Sequence, residues 1–236
     1  MNLPTIRAIE HFQEALLAWY VTHGRTFPWR YKSRSSYELI VSEILLKRTR
    51  AETVSVFFPA FIRKYSSWRK LAAATEAQLE HTLRPIGLSK QRAASLAQLA
   101  SQMVKLNGRF PTKRQSVEGL PGVGQYVTNA IMLFCHDGRE PLLDVNMARV
   151  LERCFGRRTL VDIRYDPWLQ ELAKRVVNHS LSIEMNWAIL DLAATVCRQR
   201  MPQCQQCPVN RSCKSASSTN PAPALSPIEP RKPGNR

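Results

Sequence analysis

Apolar side chains recur along this chain at steps of three and four. Between residues 6 and 20, Ile6, Ile9, Phe12, Leu16 and Tyr20 share one side of a helix, as expected of a helix laid on a core. The Phe27-Pro28-Trp29 run interrupts the pattern, since proline drives its neighbour out of the helical region. Residues 36–48 read as a buried helix carrying Leu39, Ile40, Ile44 and Leu45, and a helix over 51–65 is expected to kink or break at Pro59. Thr75 with Gln78 has the spacing of a capping box, opening a helix to about Arg84 that Pro85 and Gly87 stop. Ser89 is read as the cap of the next helix, which ends near Asn107-Gly108. Helices are further predicted near 113–118, from 125 to 136 with Gly138 closing it, and over 146–155, 167–179 and 183–197. No stretch alternates with a strand's period, so the predicted fold class is all-α.

Charge narrows the partner. Against 18 Asp and Glu stand 34 Lys and Arg, a net charge of +16, which attracts a polyanion and makes nucleic acid the expected partner. With 44% hydrophobic and 22% charged residues, wholesale disorder is excluded. No apolar run reaches the roughly 18 residues needed to span a bilayer, and residues 1–30 lack a signal-peptide core, so export is not expected. The expected location is the cytoplasm or nucleoid of a prokaryote, or the nucleus of a eukaryote. From Lys214 onward the composition shifts, with five of the 15 prolines in the last 16 residues; this tail is expected to be disordered.

Two local patterns carry chemistry. Cys197, Cys204, Cys207 and Cys213 follow the spacing Cys-x6-Cys-x2-Cys-x5-Cys. Without an export signal, that density favours a metal site over disulfides, and four thiolates suit either zinc or an iron–sulfur cluster. Leu120-Pro121-Gly122-Val123-Gly124 lies between two predicted helices. Its glycines permit a tight turn, and the helix opening at Gln125 turns its positive dipole end and N–H groups outward, an arrangement that grips a phosphate without reading sequence. A plain helix–helix turn is the alternative.

The hairpin segment resembles that of the helix-hairpin-helix base-excision DNA glycosylases related to endonuclease III and the mismatch-adenine glycosylases. Phe27-Pro28-Trp29-Arg30, Val41-Ser42-Glu43-Ile44-Leu45-Leu46 and Leu143-Asp144-Val145-Asn146 are similar to further motifs of that family, as is the cysteine cluster. The likeness spans residues 27–213. It implies a [4Fe–4S] cluster on the four cysteines, presenting Arg198, Arg200 and Arg211 to DNA. It also implies two helical lobes: residues 31–139 forming a six-helix lobe with the hairpin, and 1–30 with 140–213 forming the cluster lobe, ahead of the 214–236 tail.

Breaking a glycosidic bond leaves positive charge on the sugar, which a fixed carboxylate stabilises, while the departing base gains from a proton or hydrogen bond. The resemblance assigns Asp144 to the sugar side, although an aspartate before a helix also serves as a cap. It assigns Glu43 to the base side; an acid among Ile40, Ile44 and Leu45 should resist ionisation. Tyr126 falls where lyase-competent members carry a nucleophilic lysine, and a phenol forms no Schiff base. The resemblance therefore implies a monofunctional glycosylase, with Tyr126 lining the base pocket, bonding Asp144 or simply packing in the core.

Departures from the adenine-removing branch favour the thymine-mismatch glycosylases. Lys47 and Arg48 replace paired glutamines, and Gly87-Leu88-Ser89-Lys90-Gln91-Arg92 and Asp144-Val145-Asn146 match the thymine branch. Arg48 could donate to an orphaned guanine and Leu88 could wedge the stack, with Lys47 and Lys90 as further DNA-facing residues beside Gly122, Val123, Gly124 and Gln125. The expected function is removal of thymine or uracil opposite guanine in double-stranded, mismatched DNA, by a monomer with no membrane contact. Adenine excision is the runner-up, because Glu43 is retained. Two readings of another class are an inactive DNA-damage binder and a zinc- or cluster-bearing structural DNA protein.

Overall fold

Side-chain caps explain where several of the helices begin. In the computed structural model, which describes residues 2–217, the helices are α1 (Ile6–His23), α2 (Ser36–Leu46), α3 (Ala51–Lys64), α4 (Trp68–Ala72), α5 (Glu76–Leu83), α6 (Ser89–Lys105), α7 (Arg114–Glu118), α8 (Gln125–Cys135), α9 (Val145–Phe155), α10 (Pro167–Val177), α11 (Ser182–Thr195) and α12 (Lys214–Ser217). Among the described residues there is no strand, as the sequence predicts. Thr5, Ser67, Thr75, Asp144 and Asp166 each accept a backbone N–H at a helix start, and such a cap contributes about 1 kcal/mol. Ser35 and Glu38 form a second capping box beside that of Thr75 and Gln78.

Five expectations need correction. Of the kink or break expected at Pro59, the break does not occur: Pro59 lies inside a continuous α3. Ser89 does not cap α6: Leu88 occupies the cap position in a left-handed conformation and Ser89 is the first helical residue. Lys47 and Arg48 are not helical, because α2 ends at Leu46 and Arg48 turns to φ 60°. Trp68–Ala72 forms a helix that the pattern did not show. Finally, the expected disordered tail begins with a helical turn, Lys214–Ser217; residues 218–236 lie outside the described region.

The chain divides into two units. One combines Met1–Arg25 with Arg139–Arg236, the other spans Thr26–Gly138. In the first, α1, α9, α10 and α11 enclose Phe12, Leu16, Val150, Leu151, Leu172, Val176, Ile189 and Leu192. Each such side chain contributes about 1.5–3 kcal/mol of burial. Gln13 Nε2 donates to the Val176 carbonyl at 2.8 Å, and buried Asp191 takes both the backbone N–H and Nε of Arg25, each at 2.8 Å. In the second unit, α2 to α8 close over Ile40, Leu45, Phe58, Phe61, Leu71, Leu83, Leu96 and Met103. Phe27 stacks on Trp29, which meets Phe58 edge-on, so the aromatic motif near residue 28 packs as core.

Candidate functional site

Asp144 is half-buried at the start of α9. Its Oδ1 accepts the backbone N–H groups of Asn146 at 2.9 Å and Met147 at 2.8 Å, and its Oδ2 accepts Asn146 Nδ2 at 2.6 Å. The cap role weighed from sequence is therefore present, and the three donors hold the carboxylate in one orientation. Asn146 Oδ1 accepts Arg149 Nη1 at 3.0 Å, while Arg149 Nε and Nη2 donate to the carbonyls of Cys197 and Ala193, each at 3.0 Å. One turn on, Arg153 Nη1 reaches Cys197 Sγ at 3.4 Å and the Arg198 carbonyl at 2.7 Å. An unbroken chain of hydrogen bonds along one face of α9 thus joins Asp144 to the cysteine segment.

Cys197, Cys204, Cys207 and Cys213 line one pocket, together with Val150, Arg153, Cys154, Leu192 and Val209. No disulfide links the described cysteines. Among the described residues, no three His, Cys, Asp or Glu side chains converge as ligands of a single ion. The Cys213 thiol is drawn down to about 6, chiefly by its hydrogen bond with Cys154, while burial raises Cys207 to about 11. Arg198, Arg200 and Arg211 around this segment are exposed.

In the other unit, Glu43 on α2 is only 4% exposed. Tyr126 on α8 donates its hydroxyl to Glu43 Oε2 at 2.9 Å. Glu43 is a partner for Tyr126 beyond those expected from the sequence. α2 and α8 pack on each other, which is why residues 83 apart in sequence meet.

The hairpin preceding α8 has Gly122 at φ 72°, and a Cβ there would stand 3.2 Å from Ser95 Cβ. Glycine is thus favoured at 122 by its conformation, and a Cβ there would press on Ser95. Gly124 differs: its φ is −100°, and a Cβ would meet nothing within 4 Å. Val123 is buried, whereas Gly122 and Gly124 face solvent, and no side chain caps α8.

Lys47, Arg48, Leu88 and Lys90 are all exposed. Arg48 and Leu88 both take left-handed conformations at the tips of turns, with φ of 60° and 49°. Sequence reasoning gave no role to Arg92, Asn146, Arg149, Arg153 or Cys154. Two arginines four apart on α9, among Met147, Val150 and Leu151, were the available signal for Arg149 and Arg153. Among the described residues, no helix is long and apolar enough to cross a membrane.

Residues 41–177 match the family model described as "HhH-GPD superfamily base excision DNA repair protein". The chain is 34% identical to a thymine-DNA glycosylase of Aeropyrum pernix over 87% of its own length and 94% of the relative's. It is 32% identical to a thymine/uracil-DNA glycosylase of Methanothermobacter thermautotrophicus, covering 86% and 91%. It is also 30% identical to the human adenine DNA glycosylase, over 89% of this chain but 40% of that protein. Among solved structures, a thermostable thymine-DNA glycosylase superposes with a TM-score of 0.79 at 30% identity, covering 89% of this chain and 97% of that one.

Proposed function

Because the chain belongs to the HhH-GPD superfamily of base excision DNA repair proteins, we propose that it is a DNA glycosylase that hydrolyses the bond between deoxyribose and a thymine or uracil paired with guanine. Relatives that it matches over nine-tenths of their length carry thymine and uracil in their names, which supports the choice of base. The observation that carries the hydrolytic reading is the contact between Tyr126 and Glu43. Where a lyase needs an amine, this chain holds a phenol engaged with a buried carboxylate.

In this reading, the C1′–N bond breaks with its electron pair leaving on the base. Positive charge spreads over C1′ and the ring oxygen, and Asp144, fixed by its three donors, stabilises that charge electrostatically. Because those donors hold the carboxylate in place beforehand, little reorganisation is needed as the charge appears. Glu43 supplies a hydrogen bond to the departing base or orients the water that adds to C1′, and Tyr126 fixes the Glu43 carboxylate. Water contributes the hydroxyl at C1′, and its proton passes to the base or to solvent. An abasic site remains and the strand is not cut.

The open hairpin at Gly124 and the uncapped start of α8 suit a backbone phosphate. Arg48 and Leu88 suit the space vacated when a nucleotide is extruded, which costs a few kcal/mol and less at a mismatch. The protein would work as a monomer on double-stranded DNA. The four cysteine side chains line one pocket, and four thiolates are the ligand set that a [4Fe–4S] cluster takes. Cys197, Cys204, Cys207 and Cys213 would hold it, and the cluster would supply rigidity to the chain end. Arg153, beside Cys197 Sγ, would offset the thiolates' charge.

The buried Glu43 favours one second reading, excision of adenine, whose departure depends more on an acid. The test is a panel of all mismatched duplexes, developed with alkali to reveal abasic sites. Breaks at T·G and U·G are expected. Breaks at A·G alone would replace thymine by adenine, and none at all would leave only a DNA binder.

A further inference from the structure

Two exposed side chains sit on turns about 40 residues apart, and both turns meet at one buried arginine. Arg48 and Leu88 occupy the left-handed region at φ 60° and 49°. For side chains with a Cβ this conformation is strained, and neither residue has the short polar group that relieves it. Such strain persists only where the surroundings over-determine it.

Arg92 provides those surroundings. Its Nη2 donates to the Lys47 carbonyl and to Thr49 Oγ1, each at 2.5 Å, so it holds the residues on either side of Arg48. Its Nη1 donates to the Ile86 carbonyl at 2.8 Å and to the Gly87 carbonyl, the two residues that lead into Leu88. Thr49 Oγ1 in turn donates to the Ile86 carbonyl at 3.2 Å, a second tie between the turns. The backbone N–H of Arg92 bonds the Leu88 carbonyl at 2.9 Å, closing the first turn of α6.

This guanidinium is only 4% exposed, and its Nε lacks a hydrogen-bond partner. No carboxylate pairs with it among the described residues; loop carbonyls and one hydroxyl take its donors. A buried cation without a counter-ion is costly. A stitch that served stability alone would be better made from neutral groups. The planar fork does what a lysine cannot, bridging two separate loops with fixed directions.

We propose that Arg92 is a positioning residue that fastens Arg48 and Leu88 into one two-pronged probe of mismatched DNA, so that each prong acts only while the other turn is held. The inference rests on the glycosylase reading for its substrate. The two prongs are complementary: Leu88, 41% exposed, is an apolar wedge, and Arg48 is a donor for the unpaired base. Arg92 itself touches neither base nor sugar.

The test is a pair of mutant cycles on the full chain. Leu88→Ala and Arg48→Ala are each made in the natural sequence, in Arg92→Lys and in Thr49→Val. Thr49→Val keeps the volume and removes the hydroxyl, so it remains informative should Arg92→Lys fail to fold. Two quantities are read: single-turnover excision from a T·G duplex, and fluorescence of a 2-aminopurine beside the mismatch, which reports extrusion. Leu88→Ala is expected to lower both by about ten-fold in the natural sequence but by only about two-fold once the knot is loosened, the non-additivity of coupled sites. Equal losses in all backgrounds would overturn the inference and leave Arg92 a structural residue. Extrusion with coupled losses but no excision would uphold the knot and refute the glycosylase reading. Excision with additive losses would do the reverse, and neither extrusion nor excision would overturn both.

Discussion

The hydroxyl of Tyr126 donates to the carboxylate of Glu43 across the α2–α8 packing. A buried acid is thereby given a fixed orientation by a group that cannot act as an amine nucleophile. Tyr126→Phe keeps the ring and removes the donor, leaving a buried carboxylate short of one bond at a cost of about 1–3 kcal/mol. Excision is expected to fall by about ten-fold with helical content unchanged. Borohydride should trap no protein–DNA adduct with the natural chain; gel analysis of single-turnover reactions checks both points.

Hydrogen bonds through Asn146 link Arg149 to Asp144. Arg149→Gln severs the link while leaving Asp144 its two backbone donors. Excision is expected to fall by about ten-fold, with mismatch affinity nearly unchanged, because the carboxylate loses orientation rather than its place. Filter binding and single-turnover kinetics on one duplex separate the two effects.

The two hairpin glycines should behave differently. Gly122→Ala forces a Cβ into the left-handed region and against Ser95, and is expected to cost about 1–2 kcal/mol in stability. Gly124→Ala meets open space and should leave the melting temperature alone while weakening duplex binding, since a phosphate would approach there. The logarithm of affinity should fall linearly with that of salt for the natural protein, with a shallower slope for Gly124→Ala. Thermal melts and salt titrations decide the matter.

Cys207→Ser removes one proposed cluster ligand. The natural protein, purified without oxygen, is expected to carry about four irons per chain, and the variant fewer, with a lower melting temperature. Iron and sulfide analysis alongside calorimetry provides the check; zinc in place of iron would redirect the assignment.

Much of the fold was legible because long amphipathic stripes and the Thr75–Gln78 box are local signals. α4 was missed because its five residues are too few to show a period. Ser89 misled because Leu88 takes the cap position in a left-handed conformation, which the side-chain pattern does not reveal. Candidate site residues emerged where a motif was local, as at the cysteines, the hairpin and Asp144. Arg92 and Arg149 stayed hidden because an arginine on a helix ordinarily reads as surface. The pairing of Tyr126 with Glu43 is a product of helix packing, which no local pattern encodes.

The most direct test is single-turnover excision from a T·G duplex by the natural protein and by Asp144→Asn. Asparagine caps a helix as well as aspartate does, so the variant should fold and bind DNA normally. The role assigned to Asp144 requires alkali-sensitive breaks at the thymine with the natural protein and a loss of at least about a hundred-fold with the variant. Breaks formed at the same rate by both proteins would contradict it.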